Sequence, residues 1–225
     1  MKLFSKVTET VKTVIKPELF SEINGRDDIK VLLKHALHAS RPVHVLLKGP
    51  PGTGKTAFLK SIENYYGRRA VYLDFTSASK AGTLTEIVAK RPKIILIDEL
   101  EKAPKDVTAG MLGMMEDGRI KYTLKREKIE EDIDAVVIAT CNHMDELAPE
   151  FLDRMIEKDV PAYTEDQFYE VAQYSLSKMN IKADLAHYIA EQVLARYGLS
   201  KLRKCIQIGA MAKTVQDVDA VLGVM

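Results

Sequence analysis

The stretch Gly49-Pro50-Pro51-Gly52-Thr53-Gly54-Lys55-Thr56 constrains this chain more than any other, because it satisfies G-x-x-x-x-G-K-[ST] in full. Residues 43–47 before it read as a short buried strand, and 57–62, beginning at Ala57, read as helix. Glycines let such a loop curl until successive backbone N–H groups face one phosphate cluster, and the helix N-terminus adds partial positive charge. Lys55 is then expected to reach the β- and γ-phosphates, and the Thr56 hydroxyl to hold Mg²⁺. The segment predicts a nucleoside triphosphate site.

A second run supplies the matching acid groups. Residues 94–97 are four consecutive apolar side chains, and they end in Asp98 and Glu99. An unbroken apolar run of this kind suits a parallel sheet covered on both faces. The ligand crevice of such a sheet lies at the strand C-termini, so both carboxylates arrive beside the phosphates. Asp98 is expected to help hold Mg²⁺, and Glu99 to orient or deprotonate the attacking water. Residues 134–142 read as another buried strand, whose tip brings Thr140 and Asn142 to the γ-phosphate end of the same crevice.

The fold class expected is therefore α/β, a phosphate-loop parallel sheet flanked by helices over 1–160, followed by a small all-helical unit over 162–225. Upstream, apolar residues at 3, 7, 11, 14 and 15 fall at helical spacing until Pro17, which predicts an amphipathic helix over 1–16. Ile23 opens a turn and a helix to about residue 38, placed to wall the base. A strand is expected over 70–75, a short helix over 84–89, and another over 106–115 that Gly118 ends. In the last third, Thr164 with Gln167 forms a capping box, Asp184 and Ser200 are read as caps of later helices, and 217–222 as a short fourth.

Residues 119–129 alternate well enough for a β-hairpin with Lys121, Lys125, Arg126 and Lys128 on or near its tip. Four cations there suit a phosphate backbone; the alternative is a solvated hairpin, since Glu130, Glu131 and Asp132 follow at once. With 33 basic and 32 acidic side chains, any nucleic-acid contact must come from such a local patch. The two cysteines, Cys141 and Cys205, fit no metal spacing and suit a reducing cytosol. No apolar run approaches a membrane span, and lysines interrupt the N-terminal segment too often for a signal peptide.

With these elements in order the chain resembles AAA+ ATPases, and within them the RuvB family, the branch-migration motors of Holliday-junction processing. The resemblance rests on GPPGTGKT (49–56), TSASKAGTLTEIV (76–88) leading into ILIDELEK (95–102), MEDGRI (115–120) and APEFLDRM (148–155), and it spans about residues 20–225. It implies Mg·ATP hydrolysis in a homo-oligomeric ring, six subunits favoured, acting on DNA through the 119–129 hairpin. It also implies Asn142 with Thr140 as the sensor of the γ-phosphate, Arg154 as an arginine finger in trans, Tyr163 beside the adenine, and Arg203 as the lid sensor. The spacing from Gly198 leaves Lys201 as a rival for that last role. RuvB-like helicases continue into a winged helix where this chain stops, so a separate DNA-recruiting protein is expected. A protein-remodelling ATPase of chaperone type and a clamp-loader-like ATP switch are the other readings.

Overall fold

A computed structural model describes residues 18–73, 75, 80–124, 127–145 and 147–225. Helix α1 (Asp27–Leu37) leads into strand β1 (His44–Lys48), helix α2 (Lys55–Tyr66) and strand β2 (Ala70–Leu73). Helix α3 (Lys80–Lys90), strand β3 (Ile94–Ile97) and helix α4 (Lys105–Asp117) follow. Strands β4 (Arg119–Leu124) and β5 (Glu127–Asp132) form an antiparallel pair. Next come strand β6 (Val136–Cys141), the short helix α5 (Pro149–Leu152) and strand β7 (Met155–Asp159). Helices α6 (Glu165–Ser177), α7 (Ala183–Tyr197), α8 (Leu202–Met211) and α9 (Val215–Val224) end the chain.

The sheet is wholly parallel, in the order β2-β3-β6-β1-β7. Its central strands read as continuous apolar runs because both faces are covered. In β1, Val45 and Leu47 enter the cluster shared with α1 and α2, while Leu46 enters the cluster shared with α3 and α4. A third cluster, built on Phe168, Leu176, Ile189, Val193 and Ile208, belongs to α6–α9. The expected α/β sheet followed by helices is the fold observed.

Several expectations need correction. β7 carries no sequence signal: only Met155 of its five side chains is buried, and Ile156 and Glu157 are exposed at the sheet edge, so no apolar pattern marks it. Its strand character comes from pairing with β1, His44 against Met155 through Lys48 against Asp159. The hairpin runs three residues further than expected, to Asp132, so the acidic run lies inside β5 rather than after it. Asp184 caps nothing; Lys182 is the N-cap of α7, and Asp184 sits in its first turn. Ser200 lies within a 3₁₀ turn, Leu199–Lys201, and Lys201 takes the N-cap position of α8. The box at Thr164 and Gln167 is present in full, and a second, at Thr214 and Asp217, starts α9. The predicted N-terminal helix lies outside the described residues.

Candidate functional site

Strand order brings the two predicted half-sites together. β3 and β1 both neighbour β6, so the tips carrying Asp98 and Glu99, Thr140 and Asn142, and the phosphate loop converge at one end of the sheet. The first loop residue is tied there directly: the Gly49 N–H donates to the Cys141 carbonyl at 3.1 Å.

Lys55 starts α2 and is buried, 6% exposed. Its ammonium donates to the carbonyls of Gly49 (2.6 Å) and Pro50 (2.8 Å) and to Asn142 Oδ1 (3.0 Å). Burial pulls its pKa below the usual lysine value, and nearby carboxylates, Glu101 first, oppose that shift. Thr53 is buried and its hydroxyl donates to the Pro50 carbonyl, which closes the loop on itself.

Asp98 is held from three sides. The Thr140 hydroxyl donates to Oδ1 at 2.5 Å, the Thr56 hydroxyl to the same oxygen at 3.2 Å, and the Tyr72 hydroxyl to Oδ2 at 2.9 Å. Thr140, 1% exposed, also accepts the Glu99 N–H at 3.0 Å, so a single hydroxyl sets both acidic residues at the tip of β3. Glu99 occupies the left-handed region at φ 55°, ψ 60°. A glutamate held there is strained by roughly 1–3 kcal/mol, a cost that clusters at working sites. Its carboxylate pairs with Lys102 and accepts from Asn142 Nδ2 at 3.3 Å. The pair formed by Thr56 Oγ1 and Asp98 offers hard oxygen donors from two elements, the set Mg²⁺ prefers when it keeps several waters.

Sequence reasoning missed Glu101. Its Oε1 accepts both the Asn142 backbone N–H and Nδ2, each at 3.0 Å, while Oε2 is buried without a partner. No pattern marks it beyond its place two residues after Glu99. Cys141 lies alongside, its thiol donating to the His143 carbonyl; burial and the adjacent Glu101 push its pKa up to about 12.

The remaining candidates are spread around this centre. Ile23 is half-buried against the α1–α2 cluster. Tyr163 is buried, stacks under the Arg26 guanidinium at 4.6 Å, and brings its hydroxyl to 2.8 Å from where a Cβ on Gly54 would sit. Ser200 comes closer still: a Cβ on Gly52 would lie 2.1 Å from its carbonyl oxygen. The turn that carries Lys201 therefore rests on the phosphate loop; Lys201 and Arg203 are both exposed, and Arg203 lies in the first turn of α8.

Arg154 stands apart. It precedes β7, at the end of the sheet opposite the phosphate loop, and five strand residues put it about 16 Å from that loop. Its guanidinium donates to the Glu150 carbonyl at 2.5 Å and to Glu116 at 2.6 Å. At that distance its guanidinium does not reach the phosphate loop of its own chain. In the hairpin, Lys121 pairs with Glu130 at 3.0 Å and Arg119 with Asp132 at 3.2 Å, so β5 neutralises cations of β4. Lys125 and Arg126 lie outside the described residues, as does the side chain of Lys128.

The family model described as "ATPase family associated with various cellular activities (AAA)" matches residues 45–160. The Holliday junction branch migration complex subunit RuvB of Lactobacillus gasseri is 27% identical over 192 residues, covering 78% of this chain and 56% of that protein. Heat shock protein hsp98 of Neurospora crassa is 25% identical over 205 residues, 80% of this chain and 21% of that one. The solved structure of the Thermotoga maritima RuvB Holliday junction branch migration motor superposes with a TM-score of 0.67 at 20% identity, covering 93% of this chain and 72% of that one, a likeness of fold. The chain spans about half the length of the Lactobacillus gasseri relative. No helix among the described residues is long and apolar enough to cross a membrane.

Proposed function

Because this chain belongs to the AAA family of ATPases, we propose that it binds Mg·ATP at the 49–56 loop and hydrolyses it between subunits of a homo-oligomeric ring. One observation supports this above the others. Lys55, Asn142 and Glu99 form a continuous chain of contacts, 3.0 and 3.3 Å, beside Asp98 and Thr56.

In this reading the backbone N–H groups of 52–56 and the Lys55 ammonium bind the triphosphate, and Lys55 exchanges its carbonyl partners for phosphate oxygens. Thr56 and Asp98 would hold Mg²⁺, which would supply neutralisation of the charge that develops on the triphosphate. Glu99 aligns the attacking water and takes its proton; Asn142 and Thr140 hold the γ-phosphate end. Arg154 completes a neighbour's site, where an arginine finger is worth about 10³–10⁵ in rate. Ile23 and Tyr163 wall the base. Helices α6–α9 act as a lid over 162–225, with Lys201 favoured over Arg203 as its sensor because its turn touches Gly52.

The work done is read as movement of DNA in the cytoplasm, with a separate protein recruiting it. Ion pairs across the hairpin neutralise Lys121 and Arg119, so the affinity for DNA is read as weak and falling steeply with salt. Similarity to a heat shock protein supports a second reading, remodelling of a protein substrate. Turnover of the purified chain against DNA of several forms decides between them. DNA-stimulated hydrolysis that Lys125→Ala with Arg126→Ala abolishes supports the first, and stimulation by unfolded protein alone supports the second. Failure to retain Mg·ATP, or unchanged hydrolysis in Lys55→Ala, overturns both. The solution mass of Glu99→Gln with ATP reports the subunit number.

A further inference from the structure

We propose that Glu101 is the positioning residue that fixes the Asn142 side-chain amide, and through it the link between Lys55 and Glu99. This rests on the roles of Asn142 and Glu99 given above. Both hydrogen bonds from Asn142 to Glu101, main-chain N–H and Nδ2, converge on one carboxylate oxygen at 3.0 Å. An acceptor shared in this way ties the side chain to its own backbone and leaves the amide one orientation.

The surrounding charges agree with that orientation. Oδ1 faces the Lys55 ammonium at 3.0 Å, and Nδ2 faces two carboxylates, Glu101 at 3.0 Å and Glu99 at 3.3 Å. A flipped amide would set an oxygen against both carboxylates and an NH₂ against an ammonium, so the assignment follows from the network itself. Glu99 gives the longer contact, 3.3 Å against 3.0 Å, and it accepts from Nδ2 alone, so it does not tie the amide to the Asn142 backbone. Glu101 is placed for the task by the 3₁₀ turn Leu100–Lys102, anchored by the buried Leu100. Its Oε2 is buried without a hydrogen-bond donor, so the desolvation of the carboxylate is offset by Oε1 and by its neighbours, the Cys141 thiol and the Lys55 ammonium. A carboxylate retained there on packing grounds alone is disfavoured over an apolar side chain.

The test is steady-state hydrolysis of Mg·ATP by the full chain, with nucleotide affinity and the Asn142 side-chain amide resonance measured in parallel. Glu101→Ala is expected to lower kcat about 10- to 100-fold while nucleotide affinity stays within about threefold, as for loss of orientation without loss of binding. Its Asn142 Nδ2 protons should shift toward solvent values. Glu101→Gln keeps an acceptor oxygen at the same reach and is expected to restore kcat to within about threefold and to hold the resonance. Combined with Asn142→Ala, Glu101→Ala should add no further loss. Should Glu101→Ala lose cooperative unfolding, Glu101→Asp, with the charge kept and the arm one methylene shorter, carries the same expectation. The proposal is overturned if Asn142→Ala is slow while Glu101→Ala is not, or if Gln is as slow as Ala. Wild-type turnover by Asn142→Ala would instead remove the reading of Asn142 itself.

Discussion

Gly52→Ala tests whether helices α6–α9, the proposed lid, and the phosphate loop act as one site. Gly52 sits at φ +82°, where an L-residue is strained, and its added Cβ would meet Ser200 O at 2.1 Å and Ser200 C at 2.8 Å. Both are backbone atoms, so no rotamer change relieves the overlap. The 199–201 turn must retreat by roughly 1.3 Å to reach ordinary contact. The backbone strain costs about 1–2 kcal/mol. Overpacking against rigid atoms adds about 1–3 kcal/mol. Gly118→Ala is the control, because Gly118 is at φ +72° with only Ile133 O nearby, at 4.0 Å. The control should lower Tm by about 2–8 °C, and Gly52→Ala by about 4–20 °C, since each kcal/mol shifts a chain of this size by about 2–4 °C. Nucleotide affinity should fall about tenfold or more in Gly52→Ala alone. Calorimetric unfolding and titration with a fluorescent nucleotide read both. If Gly52→Ala matches the control in Tm and binds nucleotide as wild type does, the lid does not rest on the loop.

Arg154→Ala should leave nucleotide binding unchanged and cut turnover about 10³-fold or more; mixing it with inactive Lys55→Ala should restore part of the rate, and no recovery refutes action in trans. Thr140→Val removes the donor to Asp98 and strands the Glu99 N–H, so urea unfolding should show a loss of about 1–3 kcal/mol that Thr140→Ser recovers. His44, buried, accepts the Val137 N–H on Nδ1, which leaves Nε2 to donate to the Met115 carbonyl, and burial holds its pKa below 6.5. Its contribution is complete above pH 6.5 and is lost as pH falls from there through the lowered folded value, by about 1.4 kcal/mol per pH unit within that window. Urea midpoints at pH 7.5 and 5.5 should separate more in wild type than in His44→Gln; equal separation counts against it.

The local signals were legible because their physics is local. A phosphate loop needs its glycines, lysine and threonine in one octet between a strand and a helix, and Thr164 with Gln167 closes a cap within four residues. The apolar run before Asp98 announces a strand covered on both faces with no knowledge of its neighbours. From these the α/β class, the site and its acidic partner could be read without coordinates. What tertiary structure decided depends on partners distant in the chain or on the register between them. β7 is a strand because β1 offers it an edge, though its own side chains are mostly exposed. Glu101 reaches Asn142 only because β3 and β6 lie side by side, and Glu130 cancels Lys121 only through the hairpin register. Ser200 meets Gly52 because the last four helices fold back on the loop. Sequence spacing encodes which backbone shape a segment takes, but contact between segments is set by pairing and packing, and those are properties of the assembled chain.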